Sequence, residues 1–197
     1  MPGSLSEWAA LMPSIGAVIL TAVAVKWLDT WIDEEDSAVS ARGGAAYSML
    51  ALLMASSLDL PLTIALFSAC YAVGMLSDMR FILPSGLPGW LETVIALAFA
   101  SVKSGLLTAF WAVLVIYSVQ LIDDLLDYRV DRQMGITNLV SKLGPERSLI
   151  LFVFCFYICV MVKPLLSVIV FAAALTVGNA LFGQVEEGKA SAQPGNV

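Results

Sequence analysis

The chain has no histidine and few charged residues. Among its 197 residues Asp, Glu, Lys and Arg together make up 13%, whereas a soluble domain carries about 25%. The absence of histidine excludes His-based acid–base catalysis, His-ligated zinc or haem, and Ser-His-Asp chemistry. The low charge, together with 59% hydrophobic residues and a mean hydropathy of +0.88, predicts an integral membrane protein.

Cysteine and basic residues are also scarce. Cys70, Cys155 and Cys159 all lie in apolar runs, where a free cysteine behaves as a small hydrophobic side chain, so no disulfide framework is implied. The Lys and Arg residues form no basic patch, which argues against nucleic acid as a partner. The net charge of −6 reflects acidic residues that are concentrated in two clusters.

The apolar runs predict an all-α polytopic membrane bundle of about seven helices. A spanning helix needs about 20 mostly apolar residues. The predicted helices cover residues 8–28, 44–57, 60–76, 90–102, 105–126, 147–162 and 164–182. Residues 1–183 are therefore predicted to form one transmembrane helical domain, and residues 184–197 to form a disordered cytoplasmic tail.

Asp124, Asp127 and Asp131 form the first acidic cluster, directly after the apolar run 106–121. Their i, i+3, i+7 spacing puts them on one face of a helix. Three carboxylates at a membrane boundary repel one another unless a cation lies among them. Oxygen ligands of this kind suit Mg²⁺, which keeps some of its waters and bridges to substrate phosphates.

Asp29, Asp33 and Asp36 form the second acidic cluster, after the apolar run 11–28. Their i, i+4, i+7 spacing again falls on one helical face. The two acidic helix ends are expected to lie together and form one site. The simpler interpretation of either cluster is a solvated helix end, and Glu34 and Glu35 strengthen that interpretation for the second cluster.

The basic residues are divided unevenly between the predicted loops. Threading the seven helices back and forth puts both acidic clusters on one side of the membrane, together with Lys26, Arg42, Arg80, Arg129, Arg132, Lys142, Arg147 and Lys189. The other side receives Lys103 and Lys163. Since basic residues favour the cytoplasmic side, the acidic face and the C-terminus are predicted to be cytoplasmic.

The segment 124–144 reads DLLDYRVDRQMGITNLVSKLG. It closely resembles the second motif of the UbiA-type intramembrane prenyltransferases, in which DxxDxxxD precedes a basic residue, a Gly and a closing Leu-Gly. The second acidic cluster occupies the place of the family's first motif, NDxxDxxxD, but one carboxylate and the Asn are replaced. In one alignment Lys26 takes the place of the first Asp. The loop that carries Arg80 resembles the family's basic loop after its fourth helix.

The resemblance implies a UbiA-like bundle around a central cavity, without the first and last of the family's nine helices. It also implies Mg²⁺-dependent transfer of an isoprenyl group from an isoprenyl diphosphate to an aromatic or other lipophilic acceptor, in contact with membrane lipid. The metal ligands would be Asp29, Asp33, Asp36, Asp124, Asp127 and Asp131, all but Asp36 also being catalytic. Substrate would contact Arg80, Arg132, Lys142 and Tyr117.

Three other interpretations stay open. One is a terpene cyclase on the same scaffold, which needs no acceptor. Another is a non-catalytic UbiA-like membrane subunit or isoprenoid-binding protein, favoured by the incomplete first motif, with a homo- or hetero-oligomer supplying the missing helices. The third is a cation or proton transporter, which is disfavoured because the carboxylates lie at helix ends rather than at mid-membrane.

Overall fold

The computed structural model describes residues 5–33, 43–76, 79–135 and 138–191. Across these residues the fold is all-helical, and the predicted class is confirmed at that level. The helices are α1 (Leu5–Asp33), α2 (Gly44–Leu58), α3 (Leu60–Gly74), α4 (Gly89–Ser104), α5 (Leu106–Met134), α6 (Leu139–Leu143), α7 (Pro145–Val162) and α8 (Pro164–Ser191). Seven match the predicted hydrophobic helices, and the short α6 is additional.

Within the described part of the chain, three helices are long and apolar enough to cross a membrane. The candidate spans are Trp8–Asp29, Leu106–Arg129 and Pro145–Val162, and shorter apolar helices cover Gly44–Leu58, Leu60–Gly74 and Pro164–Gly178. Large apolar side chains are exposed on the outer helices, among them Met49, Leu53, Ile95, Phe99, Ile150 and Phe154. An exposed apolar surface of this extent suits contact with lipid, which agrees with the membrane character expected from composition.

Four helices form an inner ring, and three pack outside it. Helix α1 contacts α3 and α8, and α5 contacts the same two helices, so the four close a ring. Outside the ring, α2 packs on α1 and α3, α4 packs on α3 and α5, and α7 packs on α5 and α8. The inner helices alternate with the outer ones along the chain. This alternation follows from short connections, which make successive helices antiparallel neighbours.

The centre of the ring is packed with small and branched side chains. The buried core joins Val18 of α1, Leu66 of α3, Val115 of α5 and Val170 of α8. Alanines between them let the helix backbones approach closely, as is common where helices pack within a membrane. One turn before Val115, Trp111 is fully buried and its Nε1–H donates to Ser167 Oγ across 2.9 Å. The core therefore closes one end of the ring.

The connection between α2 and α3 shows how the sequence determines a helix start. The Asp59 side chain accepts a hydrogen bond from the Leu62 backbone N–H at 3.1 Å and caps α3, while Pro61 supplies a φ angle suited to the first turn. Ser14 of α1 also donates to Asp59 across 2.7 Å. The turn between α2 and α3 thus also joins α3 to α1.

The C-terminal helix extends further than the apolar pattern predicted. The sequence predicted disorder from residue 184, whereas the backbone of α8 is helical to Ser191. The residues of this extension include Gln, Glu, Lys and Ala, which are all strong helix formers without being apolar. Residues 192–197 lie outside the described part of the chain.

Candidate functional site

A cavity of about 730 Å³ lies inside the helix ring, lined by α1, α3, α5 and α8. Most of its wall is apolar and includes Ala22, Leu66, Ile116 and Val170. The volume falls in the range of pockets that enclose small ligands, about 300–1,000 Å³. A cavity with this wall suits a hydrocarbon chain.

The charged residues that line the cavity lie in the C-terminal halves of α1 and α5. The cavity is lined by Asp29 of α1, Gly74 of α3, Asp127 of α5 and Gly178 of α8. The buried core residues Val18, Leu66, Val115 and Val170 lie about two to three turns earlier on the same helices. The four inner helices therefore run in the same direction, and the cavity has an apolar end and an acidic end.

Asp123 and Asp127 of α5 both line the acidic end, opposite Asp29 of α1. Their i, i+4 spacing places them one above the other on the helix face that meets the cavity. Asp29, Asp123 and Asp127 all line this cavity, and the charges of Asp127 and Asp29 both act on Asp123. Of the predicted metal ligands, Asp29 and Asp127 therefore line one cavity, with Asp123 as an additional residue.

Lys26 contributes a positive charge at the same end. Its Nζ lies 3.2 Å from Asp29 Oδ2, one turn further along α1, and its side chain is 23% exposed. Lys26 also interacts electrostatically with Asp123 across the cavity. Lys26 and the three carboxylates of Asp29, Asp123 and Asp127 therefore line one cavity.

Asp124 does not line the cavity, although its charge acts on Asp123. Asp124 is 9% exposed; it accepts hydrogen bonds from Gln120 Nε2 at 3.0 Å and from the Leu139 backbone N–H at 3.2 Å. A buried carboxylate needs such partners because it loses its hydration. Asp124 thus holds the start of α6 against α5, and its role as a metal ligand stays a prediction.

Helix α6, whose first residue donates to Asp124, is capped at both ends. Asn138 caps it, accepting from the Ser141 backbone N–H at 2.8 Å, and Ser141 Oγ accepts from the Asn138 N–H at 3.0 Å. This reciprocal pair is a capping box. Gly144 ends the helix with a φ of +90°, a value that glycine adopts without steric cost. Asn138 and Gly144 of the 124–144 motif therefore begin and end α6.

The remaining predicted site residues are not all brought to the cavity. Arg80, Arg132 and Lys142 are exposed on connecting segments and helix ends, and none of them lines the cavity. Tyr117 does not line it either. Asp36 lies outside the described residues, as do the side chains of Asp33 and Asp131, whose backbones belong to α1 and α5.

The described acidic residues do not form a complete protein cage for a metal. Among the described parts of the chain, no three His, Cys, Asp or Glu side chains converge as a metal-binding group. Mg²⁺ does not require such a cage, since it is usually bound by one or two carboxylates, waters and substrate phosphates. The donor set of Asp123 and Asp127, both facing one cavity, fits that mode.

The sequence did not single out Asp123 because Asp124, with Asp127 and Asp131, has a spacing that also falls on one face of a helix. Asp123, Asp127 and Asp131 follow one another at i, i+4, i+8, and that regular repeat was the available signal. Residues four apart lie on the same face of a helix, so this repeat puts Asp123 on the face of Asp127 and Asp131. The competing i, i+3, i+7 set begins instead at the residue that binds α6.

A second polar group lies between α3 and α4. Glu92 of α4 accepts hydrogen bonds from Ser85 Oγ in the preceding loop and from Tyr71 Oη of α3. These two hydrogen bonds lower the pKa of the Glu92 carboxyl below its usual value, and the bond from Ser85 has the larger effect. They fasten the loop that carries Arg80 to both neighbouring helices.

Comparison of the chain with protein-family models, with curated proteins and with solved structures finds no match.

Proposed function

We propose that the protein is a Mg²⁺-dependent intramembrane prenyltransferase. It transfers an isoprenyl group from an isoprenyl diphosphate to an aromatic or other lipophilic acceptor. The observation that carries the proposal is the cavity of about 730 Å³ that joins an apolar wall to the carboxylates of Asp29, Asp123 and Asp127. The resemblance of segment 124–144 to the second UbiA motif supports the same chemistry.

The apolar wall would hold the isoprenyl tail. Ala22, Leu66, Ile116 and Val170 present hydrocarbon on all four inner helices, and burial of apolar surface contributes about 25 cal/mol per Å². The apolar part of the cavity borders the buried core, to which Leu66 and Val170 also belong. The isoprenyl tail would therefore lie along the apolar wall of the cavity, and the diphosphate would lie at the acidic end.

The acidic end would hold the diphosphate through a bound cation. Asp123 and Asp127 would hold Mg²⁺, with Asp29 facing them across the cavity. When bound, the metal supplies Lewis-acid stabilisation of the charge that develops on the diphosphate. Asp33, Asp36 and Asp131 stay predicted ligands of the same site.

The transfer itself exchanges one bond for another. The C1–O bond of the isoprenyl diphosphate breaks, and its electron pair leaves with the diphosphate. An electron pair of the acceptor forms the new bond to C1, and the acceptor then releases a proton. The apolar cavity wall would exclude water from the allylic cation, which water would otherwise capture.

Diphosphate release tests the proposal. The detergent-purified protein is incubated with Mg²⁺ and farnesyl or geranylgeranyl diphosphate, with EDTA as the control. Release that EDTA blocks is expected. Folded protein that releases no diphosphate from a panel of isoprenyl chain lengths, with candidate acceptors present, would overturn the proposed activity.

A non-catalytic isoprenoid-binding protein is the second candidate. The Lys26–Asp29 ion pair at 3.2 Å favours it, because a lysine that neutralises one cavity carboxylate weakens the site for metal-assisted ionisation. This candidate predicts Mg²⁺-dependent binding of isoprenyl diphosphates without release. A terpene cyclase, by contrast, would release diphosphate without an acceptor and yield a cyclic hydrocarbon.

A further inference from the structure

A second cavity, of about 480 Å³, lies between α3 and the outer helix α4. We call it the outer groove; its lining residues are Ile64, Phe67, Ser68, Tyr71, Leu87, Glu92, Ile95, Ala96 and Phe99. Among the described residues it shares none with the central cavity, which meets α3 at Leu66 and Cys70 instead. The outer groove is therefore a separate candidate binding site.

The outer groove has a polar end and an apolar body. At the polar end Tyr71 Oη donates a hydrogen bond to Glu92, which joins the end of α3 to the start of α4. From there α3 lines the groove back to Ile64, and α4 lines it forward to Phe99. Seven residues on each helix correspond to about 10 Å. The groove thus follows both helices from their ends toward their middles.

Glu92 brings a negative charge to the polar end of the outer groove. Ser85 donates to one of its carboxylate oxygens and Tyr71 to the other, whereas a carboxylate offers about four acceptor sites. Within the described part of the chain, Glu92 forms no ion pair. Since a negative charge beside an apolar surface is stabilised by an opposite charge, the polar end is complementary to a cationic group.

The apolar body of the outer groove opens on the outer surface of the helix bundle. Ile95 and Phe99 of α4 line the groove and are each 52% exposed. Exposed apolar side chains on an outer helix suit contact with lipid tails. The polar end lies at the helix ends, and the headgroups of a bilayer lie at that level, outside the hydrocarbon region.

We propose that the outer groove binds a membrane phospholipid with a primary ammonium headgroup, such as phosphatidylethanolamine. An acyl chain lies along Ile64, Ile95 and Phe99, and the ammonium group donates to the Glu92 carboxylate. A primary ammonium group carries N–H donors for this contact, which a quaternary ammonium group lacks. The inference goes beyond the proposed function and does not depend on it, because it uses no residue of the central cavity.

Lipid binding in detergent tests the headgroup assignment. The delipidated full-length protein is titrated separately with the dioleoyl forms of phosphatidylethanolamine, phosphatidylcholine and phosphatidylglycerol, and bound lipid is measured by native mass spectrometry. Because the three lipids have the same tails, a difference in affinity reports the headgroup. The wild type is expected to bind phosphatidylethanolamine about tenfold more tightly than either of the others, as fits one charge-assisted hydrogen bond.

Charge removal at Glu92 tests the polar end. Glu92→Gln keeps the size of the side chain and removes its charge, so it is expected to bind the three lipids with nearly equal affinity. Glu146→Gln is the matched control, because Glu146 is exposed, lies in the first turn of the outer helix α7 and does not line the outer groove. This control is expected to keep the tenfold preference.

Filling the apolar body tests the position of the acyl chain. Ala96 lines the outer groove, whereas Ala98 is exposed on the same helix and does not line it. Ala96→Phe is expected to lose the tightly bound phosphatidylethanolamine, and Ala98→Phe is expected to retain it. Thermal unfolding of each variant shows whether it is folded.

Equal affinity of the wild type for the three phospholipids would overturn the proposal. A preference for phosphatidylethanolamine that persists in folded Glu92→Gln or in folded Ala96→Phe would also overturn it, since the lipid would then bind elsewhere. Farnesol is added as a competing probe. Displacement of the phospholipid by equimolar farnesol would identify the groove as an isoprenoid site and would likewise overturn the proposal.

Discussion

The carboxylate of Asp124 accepts a hydrogen bond from the backbone N–H of Leu139 across 3.2 Å, and so fastens α6 to α5. Asp123, its neighbour in the chain, instead lines the central cavity. Successive residues on a helix point about 100° apart, so two adjacent aspartates take two separate roles. Asp124 positions the connection to α7, and Asp123 faces the cavity where ligands would bind.

Replacing Asp124 is expected to destabilise the protein. Asp124→Ala removes the acceptor for Leu139 N–H and Gln120 Nε2–H, and a lost buried hydrogen bond of this kind costs about 1–3 kcal/mol. Unfolding in detergent measures the change, and limited proteolysis of the segment before α6 reports its release. Asp124→Asn keeps one acceptor oxygen and is expected to recover most of the lost stability.

An unchanged unfolding transition in Asp124→Ala, with loss of Mg²⁺ binding, would assign Asp124 to the metal site and contradict the positioning role.

Replacing either cavity carboxylate of α5 is expected to remove metal binding without loss of stability. Asp123→Ala and Asp127→Ala each take away an exposed carboxylate that lines the cavity. If these two ligands hold the ion, either variant should weaken Mn²⁺ binding by tenfold or more, about 1.4 kcal/mol. Calorimetric titration of both variants checks this, with Arg129→Ala as an exposed control on the same helix. Wild-type affinity in both variants would exclude the pair as ligands.

Filling the cavity beside Gly178 is expected to block the ligand. Gly178 lines the cavity, and a Cβ at this position would meet no atom within 4 Å. Gly178→Ala should stabilise α8 by about 0.5–1 kcal/mol, since alanine restricts the unfolded chain more than glycine. Gly178→Leu should keep the fold but weaken binding of farnesyl diphosphate, measured by competition with a fluorescent isoprenoid. Equal affinity in the Ala and Leu variants would place the ligand elsewhere.

The Glu92 network predicts a stability change in acid. Because the hydrogen bonds from Ser85 and Tyr71 lower the folded-state pKa of Glu92 below its usual 4.5, the unfolded state takes up its proton first as the pH falls. The stabilisation is therefore present above about pH 4.5 and is lost as the pH falls through the lowered pKa. Thermal unfolding on either side of this window measures the loss.

Glu92→Gln is expected to reduce that pH dependence, since its side chain does not titrate. Equal slopes of unfolding temperature against pH in the wild type and Glu92→Gln would show that this carboxyl does not contribute to acid sensitivity.

The helices could be predicted from the sequence because the apolar runs are separated by clear signals. Asp59 with Pro61 marks the start of α3, and Lys163 with Pro164 marks the start of α8. The additional helix α6 was not predicted, since its five residues are too few for a periodic pattern. Its capping box, Asn138 with Ser141, was the local signal.

The site was harder to predict because side-chain direction depends on helix phase. Residues 123–131 contain four aspartates, and two helical stripes can be drawn through them. Only the tertiary contact between Asp124 and Leu139 distinguishes the stripes. The approach of Asp29 to Asp123 likewise depends on how α1 and α5 pack around the cavity, which no local spacing determines. The membrane orientation with a cytoplasmic acidic face stays a prediction.

The most direct measurement of the central claim compares diphosphate release from farnesyl or geranylgeranyl diphosphate by the wild type, Asp123→Ala and Asp124→Asn, each with Mg²⁺ and with EDTA. The account predicts EDTA-sensitive release by the wild type and by Asp124→Asn, and none by Asp123→Ala. Release by Asp123→Ala at the wild-type rate, or no release by the folded wild type with any chain length or acceptor tried, would contradict it.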